Sequence, residues 1–419
     1  MAAWDVTTAN SALVFTSIGL KWDGSMAKID TNHFFISYSG SGLDAFAAVI
    51  EVNTSTWAVS TASAPKEFYI SDSDGHSCAQ IDENHFIVYY GDSTPDGIAQ
   101  VLAVNTSTWA ITTTGSAFEF EPDYNDMNTC WKIDDTHVIN FWSGVGGGDG
   151  WCGVMEINTS TWAIDTAASD KEFYASDCSV WHCNKLDANH FCVLYRRGGP
   201  PYDSGLNAQV VTVNTSTWAV TTSSAVYTIA STDEFNGTVC RDPTQTLIDD
   251  NHFFVVWRNA TTGLKARILE VNTTTWALSA AGDLLTDSDD GGAEGTSYTT
   301  SQIDSNHFIT FFTGQNSDGW AKVHEINTTT WAVTTTAGTS LEFDTDDNDG
   351  NSCWQIDSSH FINAWGDVNS SQGKVQVFTV ELGAAGPTTL KTYDSVAAAS
   401  IKTFNGIDIA NWKTYDSIA

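Results

Sequence analysis

An aliphatic residue, Asp, two further residues, His and a large apolar residue recur seven times along the chain, first as Ile29-Asp30-Thr31-Asn32-His33-Phe34. The histidines fall at His33, His85, His137, His190, His252, His307 and His360, with spacings of 52, 52, 53, 62, 55 and 53 residues. A unit of that size is too small to bury its own apolar face. It must stack on copies of itself, and the period is that of one propeller blade.

A second phrase alternates with the first. Val52-Asn53-Thr54-Ser55-Thr56-Trp57 and its copies set Trp57, Trp109, Trp162, Trp218, Trp276 and Trp331 in register, but the seventh unit loses the pattern after Glu381. The missing piece stands at the other end of the chain: Trp4-Asp5-Val6-Thr7-Thr8 reads like Trp109-Ala110-Ile111-Thr112-Thr113 and lies 53 residues before Trp57. The N-terminal segment is therefore expected to supply the last strand of the final unit. Such a split repeat means ring closure, which removes the exposed sheet edges that an open solenoid has to cap. The expected fold is all-β, a seven-bladed β-propeller over residues 1–383 closed by its N-terminal strand, with a short repeat tail over residues 384–419.

The second unit reads as four antiparallel strands over residues 77–81, 85–90, 98–104 and about 109–114, joined by Asp82-Glu83-Asn84 and by Asn105-Thr106-Ser107-Thr108. In each copy the Asp (Asp30, Asp82) is suited to accept hydrogen bonds from the turn's own amides. The His (His33, His85) is expected to bond that Asp or the backbone and lock the turn. The Trp (Trp4, Trp57, Trp109) caps apolar space between blades. A His–Asp pair suggests a general base, but a catalytic site is one asymmetric constellation, so groups placed alike in seven blades are scaffold. The six Asn-Thr-Ser or Asn-Thr-Thr triplets match glycosylation acceptors, yet turn chemistry accounts for them without a secretory leader.

With 51 acidic against 17 basic residues and a net charge of −34, nucleic acid and anionic membranes are excluded as partners, since phosphate binding needs Lys and Arg. No stretch approaches the ~18 apolar residues of a membrane span, and no signal peptide opens the sequence. Four of the cysteines, Cys78, Cys130, Cys183 and Cys353, occupy one repeat-equivalent position, where separate blades keep them from pairing. They read as small buried side chains.

Recognition is expected where the repeats differ. The Asp-His and Asn-Thr turns share one rim and are nearly uniform, whereas the loops at residues 91–97, 143–150, 196–205, 259–263 and 313–319 vary. The fourth-unit loop places Arg196, Arg197 and Tyr202 beside two prolines, making it the best single candidate for a specific contact. Trp131, Trp181 and Trp354, read as lying near the variable rim, are candidates for stacking on sugars. The connections between units are acidic and approximate calcium loops, with Asp344, Asp346 and Asn348, or Asp72 and Asp74, as ligands. The EF-hand glycine and twelfth-position Glu are missing, so calcium is the one cofactor the loops suggest and none is required.

After residue 386 an 11-residue period begins, with Lys391-Thr392-Tyr393-Asp394-Ser395-Val396, Lys402-Thr403-Phe404-Asn405-Gly406-Ile407 and Lys413-Thr414-Tyr415-Asp416-Ser417-Ile418. Three copies are too few to bury a core alone and are expected to pack on a partner. These segments resemble the Lys-x-x-Asn-Gly-aliphatic repeats of bacteriophage tail and fibre proteins, and the body is similar to Asp-x-x-His-Phe repeat proteins of phage and aquatic bacteria. The resemblance implies a non-enzymatic structural or recognition protein on a virion or particle surface, assembled through its tail with other particle subunits. Its binding partner would be a cell-surface glycan or protein receptor. An extracellular adhesin or carbohydrate-binding propeller is the alternative, and a glycosidase-like propeller the second, which would require one singular carboxylate pair.

Overall fold

The computed structural model describes residues 3–17, 24–94, 96–144, 148–198, 205–230, 243–259, 263–287, 297–336, 338–382, 403–404 and 407–408. By compactness the chain divides into Met1–Glu381 and Leu382–Ala419. The first unit is a seven-bladed β-propeller. Its first blade runs Ser25–Lys28, His33–Ser39, Ala45–Val52 and Val59–Thr61 from the axis outward, and five further blades repeat that order. The seventh consists of Asn348–Gln355, His360–Asp367 and Gln372–Val380, completed by Val6–Thr8 from the other end of the chain.

The seam is a regular antiparallel ladder, pairing Val6 with Val380, Thr7 with Thr379 and Thr8 with Phe378. Leu13–Ser17 extends it along the same strand, with Leu13 opposite Val375. The Trp4 amide donates to the Glu381 carbonyl at 2.6 Å, the distance at which the Trp57 amide meets the Asn53 carbonyl in an unbroken turn. Glu381 thus takes the backbone role that Asn plays in the other six turns.

Each blade's second strand is buried on both faces, which explains why it reads as an unbroken apolar run rather than an alternation. Strand periodicity then divides its side chains between two neighbours. Phe34, Ile36 and Tyr38 join a core shared with the seventh blade, while Phe35 joins one shared with the second. Seven such clusters lie between successive blades, so the core is distributed around the ring.

The outermost strands are longer than residue patterning suggests. In the second blade the fourth strand continues from Ile111 to Glu121 because Gly115, at φ +69°, inserts a kink after which pairing with the third strand resumes. Where no such kink occurs the strand breaks into two pieces, as in Val59–Thr61 and Lys66–Tyr69, both paired to Ala45–Val52. In the second unit of the chain, Thr403–Phe404 pairs with Ile407–Asp408 across the Asn-Gly dipeptide. The other two tail repeats lie outside the described residues.

Candidate functional site

The uniform rim is a ring of seven identical clasps. Each His Nδ1–H donates to the turn's Asp at 2.8–2.9 Å. Asp30 also accepts the Asn32 and His33 amides, both at 2.9 Å. Burial alone would raise the Asp30 carboxyl, but the Asn32 amide and the His33 ring hold it below its ordinary range, and Asp82, Asp134, Asp187 and Asp357 behave alike. Each imidazole then stacks on the indole of the next blade at 3.5–3.7 Å between centroids: His33 on Trp109, His85 on Trp162, and so on to His307 on Trp4 and His360 on Trp57. All seven tryptophans have left-handed backbone, φ 58–68°. With the imidazole, the indole and the Asp all engaged in structure, this rim is scaffold.

The seven inner strands line one central cavity of about 1270 Å³, ample for a small ligand. Inner strands of neighbouring blades share no ladder, and hydroxyls tie them together instead. Ser25, Ser77, Thr129 and Ser352 accept the amides of Cys78, Cys130, Cys183 and Met26 at 3.0–3.2 Å. At the end nearest the uniform rim, Lys28 donates to the carbonyls of Gln355 and Ile356 at 3.0 and 3.3 Å, Lys185 to that of Ile133 at 2.7 Å, and Lys132 to that of Ile81. The seven described cysteines are free thiols, and burial pushes Cys183 and Cys353 up to about 12.

Three tryptophans break the symmetry of this wall. Trp131 and Trp354 stand where the other blades carry Ala27, Ala79, Asn184, Thr246 and Ser301. Trp354 is 39% exposed, with its indole N–H donating to the Met26 carbonyl of the adjacent blade at 2.6 Å. Trp181 is the extra residue of a β-bulge, since Val180 opposes Tyr195 and His182 opposes Leu194. Bulges re-aim side chains. Its buried indole nitrogen has no hydrogen-bond partner among the described residues. The residue pattern suggests positions near the variable rim for these three; the structure places them in the channel wall, Trp181 toward the variable end and Trp131 and Trp354 toward the uniform end. Inner-strand residues are not separable from rim residues by pattern, because the strands begin earlier than the patterning suggests, at Ser73 rather than Ser77 in the second blade.

Arg196 also lines the channel, half-buried, while Arg197 is exposed and outside it, near Tyr174. Tyr202 lies outside the described residues. Met127, missed by sequence reasoning, lines the channel at φ +53°, where the equivalent residues are Gly75 and Gly350.

The acidic-loop residues do not assemble as one set. Asp344 and Asp346 approach Asp367, but the Lys374 ammonium sits among them, 3.1 Å from Asp344 and 2.7 Å from Asp367. The Asn348 side-chain oxygen accepts from Thr313 and Asn351. Asp72 and Asp74 belong to another blade junction, with Asp72 exposed. Among the described residues the carboxylates lining the channel are Asp30 and Asp349, at opposite ends of the inner strands, roughly 20 Å apart by strand rise. Glycoside hydrolysis asks for about 5–9.5 Å, so these two do not form such a pair.

No protein-family model and no curated protein matches the sequence. Among solved structures, a "putative 6-phosphogluconolactonase" from Bacteroides uniformis ATCC 8492 is similar with a TM-score of 0.55 at 10% identity, covering 75% of this chain and 83% of that one. A second "putative 6-phosphogluconolactonase", from Bacteroides fragilis NCTC 9343, gives 0.55 at 9% identity over 90% and 98%. At that identity the likeness concerns the propeller fold alone. The resemblance to phage and aquatic bacterial repeat proteins rests on the sequence phrases.

Proposed function

We propose that this propeller is a carbohydrate-recognition module that takes saccharide into its central channel. The observation that carries the reading is the convergence of Trp131, Trp181 and Trp354 on one cavity whose wall also carries many Ser, Thr, Asn and Gln residues. Indoles offer flat apolar faces for the C–H face of a sugar ring, and the surrounding Ser, Thr, Asn and Gln residues supply the donors and acceptors its hydroxyls need. Symmetric packing does not require tryptophan here, since five blades do without it at the position of Trp131 and Trp354, and six at that of Trp181. The setting we propose is a particle or cell surface, with the 11-residue tail repeats attaching the module to a larger assembly and a surface glycan as partner.

Calorimetric titration of the protein with saccharides selected on a glycan array tests the reading. Trp354→Ala and Trp181→Ala are each expected to weaken binding about three- to tenfold, the worth of one aromatic stack. Absence of any retained saccharide, or affinity unchanged in both variants, overturns it.

A further inference from the structure

We infer that the saccharide taken by the channel is anionic, carrying a carboxylate or a sulfate ester that the Arg196 guanidinium binds; the inference rests on the carbohydrate reading above. The few cations are unevenly placed. The chain has 51 acidic and 17 basic residues, yet among the described residues the channel is lined by Lys28, Lys132 and Arg196 against Asp30 and Asp349. The molecule's charge balance is inverted in its central cavity.

The three cations are not alike. Lys28 and Lys132 are engaged by carbonyls at the uniform end. The Arg196 side chain makes no hydrogen bond or ion pair with any described residue, although it is half-buried on a strand, His190–Arg197. Its place in the repeat makes this informative. Six residues after the repeated His, three other blades carry a hydroxyl that ties adjacent blades together: Ser39 donates to the Ser73 carbonyl at 2.5 Å, Ser143 accepts the Val180 amide at 3.1 Å, and Thr313 donates to the Asn348 carbonyl at 3.0 Å. The fourth blade gives up that tie for a long cation, as the fifth does with Arg258. Arg258 is buried and not among the channel-lining residues, whereas Arg196 opens onto the channel. Trp181, also in the fourth blade, is bulged from the facing strand, and Ser179 pairs directly with Arg196. An indole face and an open guanidinium fork therefore lie on neighbouring strands of one blade, at the variable end of one channel.

Magnitudes favour local charge over global charge. Surface carboxylates more than about 8–10 Å from the site are screened at physiological salt, whereas a guanidinium in a half-buried channel keeps most of its attraction for a planar oxyanion, which it meets bidentately. Overall negative charge slows the approach of such a ligand but does not cancel the contact.

The test uses matched probes on the full chain: trigalacturonate, its fully methyl-esterified form, and a sulfated galactose trisaccharide with its unsulfated counterpart. Expected is affinity on the order of tenfold or more higher for a charged member than for its neutral partner, falling with added salt. Arg196→Gln should abolish that difference, and Arg196→Lys should restore part of it. Preference for the carboxylated or the sulfated pair identifies the anion, either one supporting the inference. Equal affinity for charged and neutral members overturns it while leaving the carbohydrate reading standing, and no binding by any of the four overturns both. The comparison on the unsubstituted protein decides the matter even where a variant folds poorly.

Discussion

Trp162 illustrates how much the clasp asks of a single residue. Left-handed backbone costs a non-glycine residue about 1–2 kcal/mol, and tight turns that need this conformation usually carry Gly or Asn. Here the indole stacks on His85 at 3.6 Å and packs against the core between the second and third blades. Stacking and burial outweigh the strain, so replacing the side chain and relieving the backbone are separable effects. Trp162→Ala is expected to lose about 3–5 kcal/mol, as large-to-small changes in packed sites do. Trp162→Gly should be less damaging by about 1 kcal/mol, because it removes the left-handed strain. Urea denaturation of both variants checks the order; an alanine variant as stable as the glycine one would show that the turn is unstrained.

At the level of strands and turns, blade junctions depend on close approach of backbones. A Cβ on Gly115 would lie 2.2 Å from the Trp162 carbonyl oxygen, at φ +69°. Gly115→Ala is therefore expected to cost more than about 2 kcal/mol, through both strain and steric displacement of the next blade. Gly42 is also at positive φ, but a Cβ there would meet its nearest atom at 3.5 Å, so Gly42→Ala should show only the conformational cost of about 1 kcal/mol. Comparing the two denaturation midpoints tests whether the junction, rather than dihedral preference, dominates. These elements differ in how legible they are from residues alone. The repeated Asp and His phrases announce turns through local hydrogen bonding, and the turns form where the phrases stand. Contacts from His33 to Trp109 join residues in different repeats, which local pattern does not pair. The bulge that aims Trp181 into the channel depends on one unpaired residue, and alternation of apolar side chains carries no mark of it.

Across the whole molecule, three interior histidines set the response to acid. Burial drives His76 down to about 3 and His182 and His324 down to about 4, from an ordinary value of 6.5. Each binds a proton readily only when unfolded, so the stability it supports is complete above pH 6.5 and is lost as pH falls toward 4. The clasp carboxylates, held below 3.8 in the fold, add a further loss below that value. Melting temperature is expected to stay level from pH 8 to 6.5 and to decline steadily from there to pH 4. His324→Leu should flatten part of that decline, His324 being fully buried with neither ring nitrogen hydrogen-bonded among the described residues. A profile level down to pH 4 would contradict the burial of these rings. The seam between Val6 and Val380 has a consequence for synthesis. Val6–Thr8 leave the ribosome about 370 residues ahead of the Phe378–Val380 strand they pair with. Until then the growing arc carries an unsatisfied leading strand, and the circle can shut only after the strand ending at Val380 has been made.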